Sequence, residues 1–157
     1  MGKWTHAESI MVSRAPEDVY AMVADVTRMG EWSPVNTGGR WDSDERGVGA
    51  WFTGRNVNAE KTWETQSQVV TDEPGREFAF IVGGNRTRWG YSFEPVGDET
   101  RLTESWEILP DGEKYFEERF GDNAETEVQK RADAARTGIH DTITAIKKAA
   151  EMKESRP

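Results

Sequence analysis

The chain has 157 residues, of which 20 are basic and 29 acidic, giving a formal net charge of −9, and it has no cysteine. That length predicts one domain. The charge opposes binding to nucleic-acid phosphates and to anionic membranes, and the missing thiols exclude disulfides, a cysteine nucleophile and Cys-ligated metal centres. No apolar run approaches the roughly 18 residues of a membrane span. Residues 1–6 lack the basic-then-apolar layout of a signal peptide, so the expectation is a cytoplasmic protein. Leu, Ile, Val and Phe together supply only 26 of the 157 residues, below the roughly 20% at which a strongly charged chain enters the compositional range of disorder. Yet seven Trp, six Phe and three Tyr are present, and disordered chains are poor in such bulky apolar rings.

Residues 4–12 alternate, with His6, Glu8, Ile10 and Val12 on one side, as a strand requires. Pro16, followed by Glu17 and Asp18, opens a helix: proline suits the first helical position, and acids suit the positive end. Val19, Met22, Val23 and Val26 continue it with apolar spacing of one helical face. Thr27 is expected to cap a short second helical turn that Gly30 stops, followed by a loop through Gly38-Gly39 and a short strand around residues 40–43. Five strands separated by turn residues follow. They cover residues 49–58, 62–71, 77–82, 87–94 and 100–108. Their in-phase positions include Phe52, Gly54 and Asn56; Trp63, Thr65, Ser67 and Val69; Phe78 and Phe80; Thr87, Trp89, Tyr91 and Phe93; and Leu102, Glu104, Trp106 and Ile108. Residues 109–123 read as a charged connector. A long helix then carries Val128, Ala132, Ala135, Ile139, Ile143, Ile146 and Ala150 in one apolar stripe, and residues 154–157 read as a frayed tail.

This order predicts an α+β fold: a curved antiparallel sheet of six to seven strands wrapped around a long C-terminal helix, with two short helices after the first strand. The segments 15–20, 25–34, 52–56, 63–65, 76–80, 89–91 and 103–106 read APEDVY, DVTRMGEWSP, FTGRN, WET, REFAF, WGY and TESW. On them the chain resembles the helix-grip superfamily of START, Bet v 1-like and polyketide cyclase/dehydrase proteins (SRPBCC), in an actinobacterial-type branch. The resemblance spans nearly the whole chain. It implies a cavity between sheet and helix that takes a lipid, hormone or polyketide, and in some members catalyses ring closure or dehydration there.

If the apolar strand faces point inward, Glu104 goes with them. A buried carboxyl must be paired, hydrogen-bonded or protonated. It is the candidate acid, near Asn56 or Glu8; the competing reading pairs it with Arg55, Arg88 or Arg101 or sets it at a wet rim. The candidate pocket comprises Glu8, Phe52, Asn56, Trp63, Phe80, Trp89, Tyr91, Glu104, Trp106, Ala135 and Ile139. Its indoles either line a cavity or simply fill the core. Gly138 either leaves room for a ligand or, the favoured reading, packs closely against a Trp. His6 and His140 match no metal spacing and fit a surface or rim role. Trp32 and Trp51 belong at the mouth or on the outer face. No serine has a nucleophile-elbow setting, and the glycine pairs 38–39 and 83–84 read as turns. Tyr115, Phe116 and Phe120 of the connector could form a lid. No metal and no cofactor is expected. The partner is a hydrophobic small molecule, aromatic, polyketide-like or lipid-like, and the chain is a monomer or homodimer. Three readings follow: a binding module, a cyclase/dehydratase-type enzyme using Glu104 with His6, Glu8 or Tyr91, and a co-chaperone-like interaction protein whose cavity is residual.

Overall fold

The structure is a computed structural model describing residues 4–154. Seven strands form one antiparallel sheet: β1 (Thr5–Val12), β2 (Asn36–Trp41), β3 (Trp51–Val57), β4 (Thr62–Glu73), β5 (Glu77–Val82), β6 (Thr87–Val96) and β7 (Glu99–Ile108). Their spatial order is β1-β7-β6-β5-β4-β3-β2. The chain therefore starts at one edge, crosses to the other, and returns by hairpins until β7 pairs with β1. The crossing is made by helix α1 (Pro16–Val23) and a 3-10 turn (Val26–Glu31). After β7 come α2 (Pro110–Phe120), a second 3-10 turn and α3 (Ala124–Glu154). The curved sheet grips α3, the helix-grip fold expected from the sequence.

The faces that alternation predicts for β3 to β7 are the less exposed ones, and in β1 the predicted face is half-buried until Val12. Leu102, Glu104, Trp106 and Ile108 of β7 are all buried, while the residues between them are at least partly exposed. Along α3 the whole predicted stripe from Val128 to Ala150 is buried. It divides between two packed clusters. Ile143, Ile146 and Ala150 join Leu102, Phe93 and α1, whereas Val128, Ala132, Ala135 and Ile139 join Trp106, Ile108 and Phe116. These two clusters, with the aromatic rings of β3, β5 and β6, supply the bulk that leucine does not.

Four local expectations are corrected. The connector after Leu109 is helical: Pro110 sits at its start with Asp111 and Glu113 in the first turn, all favourable at a helix N-terminus. Asp25, not Thr27, caps the turn after α1, accepting from the Thr27 N–H at 3.1 Å. Gly30 lies inside that turn and does not end it. Gly38 and Gly39 belong to β2, which begins earlier than expected, at Asn36, with a register shift between Asn36 and Gly38. Gly39 is there for proximity, since a Cβ would come within 2.7 Å of the Val26 carbonyl oxygen. Glu154 ends α3, and the rest of the expected tail, 155–157, lies outside the described residues.

Candidate functional site

Between the sheet and α3 lies a cavity of about 300 Å3, at the lower end of the range for small-molecule pockets, roughly 300–1,000 Å3. Its sheet wall is built from the inward positions of β3 to β7, including Phe52, Asn56, Trp63, Phe80, Trp89, Tyr91, Glu104 and Trp106. Its helix wall is Arg131, Ala134, Ala135, Gly138 and Thr142 of α3, closed on one side by Phe116 of α2. Trp32 and the segment 33–36 complete it. Pro34, Val35, Arg131 and Ala134 are both lining and exposed, so the mouth opens between the 33–36 loop and the N-terminal half of α3.

Of the candidate pocket residues, Phe52, Asn56, Trp63, Phe80, Trp89, Tyr91, Glu104, Trp106 and Ala135 face this space. Glu8 and Ile139 do not. Glu8 shares β7's inward phase but sits on the edge strand, and its Oε2 reaches His140 Nδ1 at 2.6 Å on the outer side of α3. Ile139 is fully buried in the packed core. Trp32 lines the wall, whereas Trp51 is on the outer face beside Gly84. At Gly138 the close packing favoured from sequence is corrected: a Cβ would meet nothing within 4 Å, and the residue borders the cavity. Arg131 and Thr142 escaped the sequence reading. They lie in helical phase with Ala135 and Gly138, so extending that line one step each way finds them.

Glu104 is the only carboxylate among the lining residues and is 3% exposed. None of Arg55, Arg88 or Arg101 reaches it, nor does Asn56, which bonds Thr65 at 3.2 Å. Its partner is Tyr91 on the neighbouring strand, in direct register, whose hydroxyl donates to Oε2 at 2.8 Å. The other oxygen, Oε1, is buried with no partner. Burial lifts the carboxyl pKa to about 8, with the Tyr91 hydrogen bond pulling the other way. Burial, followed by the charge of Glu104, pushes the Tyr91 phenol well above its usual range. At neutral pH the pair is therefore an uncharged acid and an uncharged phenol. With the acidic hydrogen on Oε1, Oε2 is left to accept from Tyr91 as the carbonyl oxygen of the acid. In that arrangement Oε1 is a buried donor without an acceptor, on a residue that lines the cavity, and such a group costs about 1–3 kcal/mol.

His6 and His140 both flank Glu8, His6 Nε2 at 3.9 Å from Oε1, and neither lines the cavity. Among the described residues no group of three or more His, Asp or Glu could hold a metal ion, and no helix is long and apolar enough to cross a membrane.

The fold has counterparts among solved structures. A polyketide-cyclase-like protein of Corynebacterium glutamicum, Cgl2372, is 47% identical with a TM-score of 0.72, over 99% of this chain and 96% of its own. A di-domain ARO/CYC protein of the steffimycin biosynthetic pathway, StfQ, superposes with a TM-score of 0.71 at 12% identity, over 98% of this chain and 52% of StfQ. CV1439 of Chromobacterium violaceum superposes with a TM-score of 0.67 at 13% identity, over 94% and 97% of the two chains. The last two show the shared fold only. No curated protein matches the sequence. The model of the family described as polyketide cyclase / dehydrase and lipid transport matches residues 3–151. With that match over nearly its whole length, the chain belongs to this family.

Proposed function

We propose that the protein binds a small apolar molecule in the cavity and fixes its orientation through one hydrogen bond from Glu104 Oε1. The observation that carries this reading is the unpartnered, buried carboxyl oxygen of Glu104, a residue that lines an otherwise largely apolar cavity of about 300 Å3. A cavity near 150 Å3 holds about one benzene, so the space suits a body of two fused rings or an aliphatic equivalent. The lining indoles and phenyls supply dispersion contact and apolar burial. The acid supplies direction: as a donor it selects an acceptor such as a ketone or quinone oxygen, which fits family members that handle polyketides.

Native mass spectrometry of gently purified protein, with 2-acetylnaphthalene as an added probe, tests the reading. Binding of the probe or of a co-purified apolar molecule, lost in Gly138→Leu, is the expected result. No adduct of either kind, or one that persists in Gly138→Leu, overturns it.

One observation favours catalysis as a second reading. A carboxyl with a pKa near 8 is matched to proton transfer close to neutral pH. An enolisable ketone held at Oε1 would then be turned over, with a rate that inflects near pH 8 and is abolished in Glu104→Gln. A tight ligand recovered unchanged removes this reading and leaves the first. The co-chaperone-like reading drew its support from a core packed shut by tryptophan, and the cavity withdraws that support.

A further inference from the structure

Arg131 is the only Lys, Arg or His among the residues lining the cavity. It is exposed at the mouth, with its guanidinium 5.4 Å from the centre of the Phe116 ring on α2. Acids on its own helix are close in sequence, yet both are taken. Glu127, four residues before it and in the favourable order for an i,i+4 pair, goes to Lys130 at 3.3 Å. Asp133 accepts from Gln129 at 3.0 Å. Among the described residues Arg131 forms no ion pair and no hydrogen bond, in a chain with an excess of nine negative charges. An unpaired guanidinium leaning over an aromatic ring at the entrance to an apolar cavity is a site for an anion.

The second pole is Glu104. Its level along α3 follows from the packing on either side. Trp106 shares a buried cluster with Ala135 and Ile139, and Leu102 shares the other with Ile143 and Ile146, which puts Glu104, between them on β7, level with about residues 139–143. At 1.5 Å per residue the two polar poles are about 12–18 Å apart along the helix. Between them the helix presents Ala134, Ala135 and Gly138, side chains that leave the intervening space to a flat apolar body.

Resting on the cavity-binding reading, we infer that the ligand is a hydrophobic monocarboxylate, its carboxylate held by Arg131 at the mouth and an acceptor oxygen at its far end held by Glu104. One guanidinium offers two parallel N–H donors, which match one carboxylate. A phosphate dianion would bring a second charge that no other lining residue neutralises. The inner end must be uncharged, because an anion there would face a carboxyl with no cation beside it.

Calorimetry with 6-acetyl-2-naphthoate and its uncharged analogue 6-acetyl-2-naphthamide tests the assignment, using the wild type, Arg131→Gln, Arg131→Lys and Gly138→Leu. The expected result is a preference of about five- to tenfold for the carboxylate, the strength of one partly exposed charge-assisted contact. Arg131→Gln brings the two affinities together, Arg131→Lys keeps part of the preference, and Gly138→Leu blocks both probes. Equal affinities in the wild type, or a preference that survives Arg131→Gln, overturn the assignment while leaving cavity binding intact, provided Gly138→Leu still blocks. If neither probe binds the wild type, or if Gly138→Leu leaves both affinities unchanged, the cavity-binding reading itself fails, and this one with it.

Discussion

The Glu104 carboxyl couples the cavity to folding. In the unfolded chain it titrates near its ordinary 4.5, and in the folded protein near 8. Between those values the folded state holds a proton that the unfolded state has released, so stability falls as pH rises through that window. The loss from this one group amounts to several kcal/mol by pH 9, at about 1.4 kcal/mol per unit. Glu104→Gln keeps an acceptor for Tyr91 and removes the titration. Urea unfolding at pH 5 and pH 9 should show the variant gaining on the wild type by several kcal/mol at the higher pH; a pH-independent difference would sink the assignment of the proton. The sequence exposed half of this. Alternation in β7 put Glu104 inside, between Leu102 and Trp106. Its state depends on Tyr91 thirteen residues away on β6 and on the distance of every arginine, which only the sheet register sets.

Two glycines at the element scale have opposite consequences. Gly138 lies in the interior of α3 with open space where a Cβ would go, and glycine there costs about 1 kcal/mol relative to alanine. Gly138→Ala should therefore raise the stability by about that amount while trimming the cavity. In the first turn of α2, a Cβ on Gly112 would overlap the Arg86 carbonyl oxygen. Gly112→Ala must then push α2 away from the β5–β6 turn and should cost more than 1 kcal/mol. Urea melts of both variants read the two signs; stabilisation by Gly112→Ala would mean that α2 does not seat where it is described. The missed helix α2 illustrates what pattern reading lacks. Its start signals, Pro110, Asp111 and Glu113, are all present, but Gly112 and a mostly charged sequence dilute its period. One buried face, carrying Phe116 at 6% exposure, suffices because it packs against α3 and the end of β7.

Across the whole molecule, the polar ties between α3 and β1 with its following turn begin at His140. His140 meets Glu8, Lys147 donates to the Met11 carbonyl at 2.7 Å, Arg14 donates to the Ala150 carbonyl at 3.1 Å, and the Ser13 N–H donates to Glu151 at 3.0 Å. Residues 131–138, over the mouth, have no such tie to β1 among the described residues. The helix is thus pinned at its C-terminal half and held by packing alone where the cavity opens. The hydrogen bond to Glu8, and then its charge, raise the His140 pKa. That contribution is fully present below the ordinary histidine value and is lost as pH rises through the raised folded value. In an NMR titration, Glu8→Gln should return His140 to near its ordinary pKa of about 6.5; an unchanged midpoint would show that the contact does not persist in solution.

From the sequence alone came β1 and β3 to β7 with their inward phase, the buried stripe of the last helix and the family resemblance. All of these follow from periods of two and about 3.6 residues, and those periods are local properties that survive a leucine-poor composition. The tertiary structure decided whether the indoles fill the core or enclose a space, which oxygen of Glu104 lacks a partner, and that Arg131 remains unpaired beside two acids on its own helix. Those are outcomes of distances between residues far apart in the chain. Burial, and with it protonation and pairing, is fixed only when the sheet has closed on α3.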